Sequence, residues 1–175
     1  MELVTPHNLE AEMAVLGSIF IDERLITEII DELYPEDFYD NKNKIIFNTI
    51  VSLYNEGKNI DLTSVVSALE MKGLFEQAGG IEYLNTIVNY NYSTINVDTY
   101  VDLVHDAALK RVAINSLTDL AQKGYDPNKN ANEYLTKVEE VIFDLSKRRK
   151  TSNFVPITEV TGIVKDKLTK NLNQT

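Results

Sequence analysis

The chain has 175 residues, carries 17 Lys/Arg against 27 Asp/Glu for a formal net charge of −10, and contains neither Cys nor Trp. The lack of cysteine excludes a disulfide framework, a thiolate metal site and a cysteine nucleophile together. With 43% apolar and 25% charged residues the composition is that of a globular protein rather than a disordered one. No apolar run approaches the ~20 residues that cross a bilayer. No basic segment precedes an apolar one after Met1-Glu2, so no secretory signal is expected. A cytosolic, metal-independent protein is the default expectation.

Charge is unevenly distributed. Residues 1–96 hold 5 Lys/Arg against 16 Asp/Glu, a net of −11, whereas residues 97–175 hold 12 against 11. The first part has no stripe of cations to displace counterions from phosphates, so it should repel nucleic acid. It could attract a basic partner, or simply keep the surface solvated.

Helical periodicity runs through the chain. Leu9, Met13, Leu16 and Phe20 mark one helix face, with Asn8 as its N-cap and Glu10 and Glu12 in the first turn, where the helix dipole favours anions. Asp22 caps a second helix with Leu25, Ile26, Ile29, Ile30 and Leu33 inward, ended by Pro35. Asp40 or Asn41 opens a third, carrying Ile46, Phe47, Ile50, Val51 and Tyr54 and closing near Gly57. Asp61 caps a fourth with Val65, Val66 and Leu69, stopping at Gly73. Gly79-Gly80 leads into a fifth with Tyr83, Leu84, Ile87 and Val88. No useful run alternates apolar and polar residues, so no sheet is predicted.

From about Thr94 the texture changes. A long stretch without Gly or Pro carries one apolar stripe of Tyr100, Leu103, Ala107, Ile114 and Leu117, and a second of Val97, Val101, Val104 and Ala108. Gly124-Tyr125-Asp126-Pro127-Asn128 forms a turn, after which Tyr134, Val138, Val141 and Leu145 recur at helical spacing. Two long helices around one turn predict a helical hairpin with more apolar surface than it can cover itself. Lys147 to Asn153 then reads as a linker, and Phe154-Val155-Pro156 cannot continue a helix. Ile157, Val160, Ile163, Val164 and Leu168 define a last amphipathic helix, too short to be stable alone. Both faces either fold back on the chain's own core or meet another molecule.

The chemistry-bearing inventory is thin. The two histidines, His7 and His105, lie in a capping segment and among the acids Asp102 and Asp106, and read as structural or solvated. Glu36-Asp37 and Glu139-Glu140 are adjacent in sequence and diverge on a helix, so neither pair can share a substrate atom. Gly79-Gly80 has no following Lys, and no G-x-x-x-x-G-K-[ST] or G-x-G-x-x-G occurs, so no phosphate cradle is expected. No catalytic, cofactor-binding or metal-binding residue is assigned.

Several short segments, taken in order, carry a resemblance. They are Pro6-His7-Asn8-Leu9-Glu10-Ala11-Glu12, Val15-Leu16-Gly17-Ser18 and Leu33-Tyr34-Pro35-Glu36-Asp37-Phe38-Tyr39. They continue with Ile46-Phe47, Leu53-Tyr54-Asn55-Glu56-Gly57, Ile60-Asp61, Gly79-Gly80-Ile81-Glu82-Tyr83-Leu84 and Lys110-Arg111. In order and spacing the chain resembles the amino-terminal part of bacterial replicative DNA helicases of the DnaB type. That resemblance implies an all-α fold: a head over residues 1–93 and a hairpin over 94–149, which together make one amino-terminal domain. A linker over 150–156 and a linker helix over 157–172 would follow.

By that resemblance, hairpins pair and assemble six subunits as a trimer of dimers; the apolar stripes make Tyr100, Leu103, Ala107, Ile114, Leu117, Val138, Val141 and Leu145 the expected pairing residues. The linker helix would dock on a neighbouring subunit through Ile157, Val160, Ile163, Val164 and Leu168. Primase and a helicase loader are the implied protein partners, at the replication fork in the bacterial cytoplasm. ATP, magnesium and single-stranded DNA would be handled by a RecA-like motor expected beyond Thr175, so the stretch itself is not expected to be an enzyme. The competing reading is a stand-alone α-helical adaptor that binds a helicase or primase and has no motor of its own.

Overall fold

The computed structural model describes residues 3–90, 96–128 and 130–148, and every regular element among them is helical. Five short helices come first: α1 (Leu9–Ile21), α2 (Ile26–Glu32), α3 (Asn41–Asn55), α4 (Leu62–Met71) and α5 (Gly80–Asn89). Two longer ones follow, α6 (Val97–Lys123) and α7 (Ala131–Lys147). The helix starts obey local capping. Asn8 Oδ1 accepts from Ala11 N at 2.9 Å and Asp61 Oδ1 from Ser64 N at 2.8 Å, while Asp40 accepts from Lys42 N at 2.7 Å. Asp22 caps a 3-10 turn, Glu23–Leu25, that runs into α2. Pro35 opens a second 3-10 turn, Pro35–Asp37, before α3.

Helices α3 and α4 end alike. At Gly57 and Gly73 the backbone enters the left-handed region at φ +66°, and the next amide (Lys58 or Leu74) reaches back to the carbonyl of Leu53 or Leu69. Without a Cβ, glycine adopts this turn without strain.

One apolar cluster joins α1 through α5 and the first turns of α6. Leu16, Ile19, Ile46, Phe47, Ile50, Val65, Leu69, Leu84 and Ile87 are completely buried in it, and Phe38 packs on Phe47 with the rings tilted 32° and their centroids 4.7 Å apart. Helix α1 is the central post, packing against α3, α5 and α6. This corrects the stripe read from its sequence: Leu9 is 40% exposed and Met13 and Phe20 are only partly covered. Ala11, Glu12, Ala14, Val15, Leu16, Gly17, Ser18 and Ile19 are the buried positions. A helix surrounded by neighbours is buried on most of its circumference, so no single 3.6-residue stripe describes it.

Val97, Val101 and Val104 belong to the same cluster. The described core therefore includes residues from both sides of the expected head–hairpin boundary, and the start of α6 packs with the head. The chain divides into two compact units with the break between Tyr134 and Leu135. In the first, the Tyr134 hydroxyl donates to the carbonyl of Leu120 at 3.0 Å, tying the opening turn of α7 to the last turn of α6. The second unit contributes the rest of α7, none of whose residues is buried. The expected linker 150–156 and linker helix 157–172 lie outside the described residues.

Candidate interaction surfaces and the motif residues

The candidate pairing residues fall into three groups. On α6, Leu103, Ile114 and Leu117 are 43%, 49% and 44% exposed. Tyr100 is half-buried against the core, and Ala107, at 8% exposure, is already covered and not available on the surface as the sequence suggested. An alanine on the boundary between two stripes of one helix is short enough to be enclosed while longer neighbours project. On α7, Val138, Val141 and Leu145 are half-covered, while Leu135, Ile142 and Phe143 stand out at 54%, 47% and 59%. These last three were missed because the sequence reading followed one stripe and set adjacent apolar residues aside. Lys147 Nζ lies 4.1 Å from the Phe143 ring centroid, so the ring keeps a cationic cover. The linker-docking residues Ile157, Val160, Ile163, Val164 and Leu168 lie outside the described residues.

The motif residues do something different: they hold the head together. Glu12, read from sequence as a charge in the first turn of α1, is 1% exposed and serves another helix. Its Oε1 accepts from Tyr39 N at 2.7 Å, and its Oε2 from Asp40 N at 3.2 Å and Asn43 Nδ2 at 3.0 Å. The carboxylate thus sits at the amino end of α3, where orphan amides and the helix dipole favour an anion. Asn43 Oδ1 in turn accepts from the Tyr83 hydroxyl at 2.8 Å, extending the chain of hydrogen bonds to α5. Burial, with the charge of Asp40 adding to it, pushes the Tyr83 phenol up to about 12. Gly79 makes this seat possible: at φ +91° a Cβ there would lie 2.7 Å from Tyr83 Cβ and 3.0 Å from Lys42 Cδ.

Arg111 forms the second structural knot. Its Nη1 donates to the carbonyl of Pro6 at 2.8 Å, its Nη2 donates to the carbonyl of Asp37, and its guanidinium carbon lies 5.6 Å from the Tyr39 ring centroid. His7 stacks on the same ring at 4.5 Å and 12°. A cleft of about 400 Å³ opens between α2 and the start of α6. Its floor includes Ile29 and Val101, and its rim is Glu28, Asp31, Glu32 and Asp98. Such a rim repels phosphates and favours cationic groups. Among the described residues no three His, Cys, Asp or Glu side chains gather to hold a metal, and no helix is long and apolar enough to cross a membrane.

Residues 4–106 match the family described as the DnaB-like helicase N terminal domain, more than half of the chain. The chain belongs to that family. The replicative DNA helicase DnaC of Bacillus subtilis is 35% identical over 155 residues, which are 89% of this chain and 34% of that protein. The replicative DNA helicase DnaB of Pasteurella multocida is 36% identical over 88% of this chain and 33% of its own length. The chain thus spans about a third of the curated relatives it matches. The crystal structure of the N-terminal domain of DnaB helicase from Mycobacterium tuberculosis superposes with a TM-score of 0.75 at 28% identity, covering 80% of this chain and 99% of that one. A solved DnaB-like replicative helicase, described together with its interactions with primase, shares the fold with a TM-score of 0.69 over 93% of this chain and 36% of its own. The motif segments singled out in the sequence thus mark a DnaB-like N-terminal domain, and its fold is the all-α one expected.

Proposed function

We propose that this chain is the N-terminal scaffold of a ring-shaped replicative DNA helicase, which assembles subunits and recruits other replication proteins. The observation that carries the proposal is the contrast in burial. The head core is closed, while Leu103, Ile114 and Leu117 on α6 and Leu135, Ile142 and Phe143 on α7 remain at least 43% exposed. Aliphatic and aromatic side chains presented in this way favour association, each contributing ~1.5–3 kcal/mol when fully covered, before ordering costs. Copies of the chain pair through these helices, with Tyr100, Val138, Val141 and Leu145 at the edge of the contact, and pairs assemble into a trimer of dimers. Residues Ile157, Val160, Ile163, Val164 and Leu168 dock on a neighbouring subunit.

The acidic head, with 5 Lys/Arg against 16 Asp/Glu over residues 1–96, suits recruitment of proteins rather than a grip on DNA. Primase and a helicase loader are the partners in this reading. Unwinding, with ATP, magnesium and single-stranded DNA, belongs to a motor domain in the whole protein, acting in the cytoplasm at the replication fork.

Sedimentation tests the pairing. The chain is expected to self-associate at tens of micromolar, and the triple variant Leu103→Asp, Ile114→Asp, Leu117→Asp to sediment as a monomer with an unchanged helical spectrum. A wild-type chain that stays monomeric at that concentration rejects the pairing. In the full-length protein, Ile163→Asp with Val164→Asp is expected to break the ring into smaller species. Intact rings would reject docking through that face.

A further inference from the structure

Helix α6 has 27 residues, about 40 Å at 1.5 Å per residue, and its membership of the head core ends at Val104. Beyond Ala108 none of its residues is fully buried until Leu120. Arg111 stands between, and its position continues the stripe of Val97, Val101, Val104 and Ala108 by one more step of helical spacing. It is the next head-facing position after the apolar contacts stop.

What it touches there is specific. The two acceptors are backbone carbonyls on separate segments: Pro6 in the arm before α1, and Asp37 at the end of the 3-10 turn before α3. The guanidinium also lies beside the Tyr39 ring, whose backbone amide is held by the buried Glu12. The ring's other contact, His7, comes from the same arm as Pro6. A planar fork with several donors can hold two carbonyls at a fixed angle, whereas an ammonium group can serve them only as a point charge. Three contacts on two segments, the arm and the 37–39 stretch, define a direction as well as an attachment.

We propose that Arg111 is the positioning residue that sets the direction in which α6 leaves the head, by clamping the N-terminal arm and the 35–37 turn to one turn of the helix. Leu103, Ile114 and Leu117 lie on this helix, so the clamp also aims the pairing surface. That consequence rests on the proposed pairing; the effect on α6 itself does not.

The test uses the 175-residue chain with Arg111→Ala and Arg111→Lys, and with Lys110→Ala as a control, since Lys110 only pairs with Asp106 on the exposed face. The chain has no native cysteine, so Glu70→Cys with Thr118→Cys admits one nitroxide pair, measured in an excess of unlabelled chain to suppress distances between copies. Arg111→Ala is expected to broaden the distance distribution and to raise amide exchange over residues 112–119 by more than about tenfold, the scale for losing two charged hydrogen bonds, with residues 97–108 unaffected. Arg111→Lys should fall between, and Lys110→Ala should match the parent. A distribution unchanged in mean and width in both Arg111 variants overturns the proposal. So does exchange that accelerates uniformly over 97–123, which would make Arg111 a general stabiliser of the head. Should Arg111→Ala fail to fold, Arg111→Lys decides by the same two readings. A parent chain that sediments as a monomer would end the pairing reading and leave the clamp result standing.

Discussion

Helices α1 and α7 make an instructive pair. Both carry apolar residues at helical spacing, yet eight of the 13 residues of α1 are buried and none of the 17 of α7 is. Periodicity reports which side chains favour cover and says nothing about what supplies it. In α1 the cover comes from within the same head, from α3, α5 and the start of α6. In α7 the apolar residues are left for something else.

Matched substitutions in the two regions should separate these cases most sharply. Phe47→Ala empties a site that is completely buried and is expected to cost about 3–5 kcal/mol of stability in urea unfolding. Phe143→Ala, at 59% exposure, should cost less than about 0.5 kcal/mol while weakening self-association in sedimentation. Equal losses of stability would erase the distinction drawn between the closed head and α7.

Next in size is the buried carboxylate. Glu12→Leu leaves Tyr39 N, Asp40 N and Asn43 Nδ2 without their acceptor, and should lower the unfolding free energy by about 3 kcal/mol. Glu12→Gln keeps one acceptor oxygen and should lose clearly less. A smaller effect, about 1 kcal/mol, is expected for Asp61→Ala, which removes the N-cap of α4; thermal melting measures it.

The last is a pH effect confined to alkaline solution. The Tyr83 phenol is raised to about 12 from 10.0, so the folded chain holds its proton where the unfolded chain has released it. Stability from this group is complete below pH about 10 and is lost as pH climbs toward about 12. Tyr83→Phe should remove that part of the alkaline decline, seen by comparing urea midpoints on either side of the window.

Much of the head was legible because its signals are local. Asn8, Asp22, Asp40 and Asp61 act as caps over two or three residues, and Gly57 and Gly73 end their helices by their own backbone freedom. What escaped is non-local. Glu12 lies in the first turn of one helix and serves another 27 to 31 residues away, and Arg111 closes contacts 74 and 105 residues back. Nothing in the spacing of a lone acid or arginine announces such partners, although a charged residue in line with Val15, Leu16 and Ile19 was a usable hint for Glu12. Ala107 was misjudged because periodicity assigns a residue to a stripe without regard to the reach of its side chain. The family segments were recognised as a pattern, and the structure supplies their physical content: several are the struts of one hydrogen-bonded frame.

Because Val97, Val101 and Val104 complete the core around α1, the order in which a ribosome delivers the chain has a consequence. A nascent polypeptide whose first 96 residues have emerged has every short helix outside the exit tunnel, but its central one lacks a wall. Synthesis at ~5–20 residues per second leaves that gap open for roughly half a second to two seconds, while greasy side chains face solvent. The arm at Pro6 has to wait longer still, until residue 111 has emerged to fasten it.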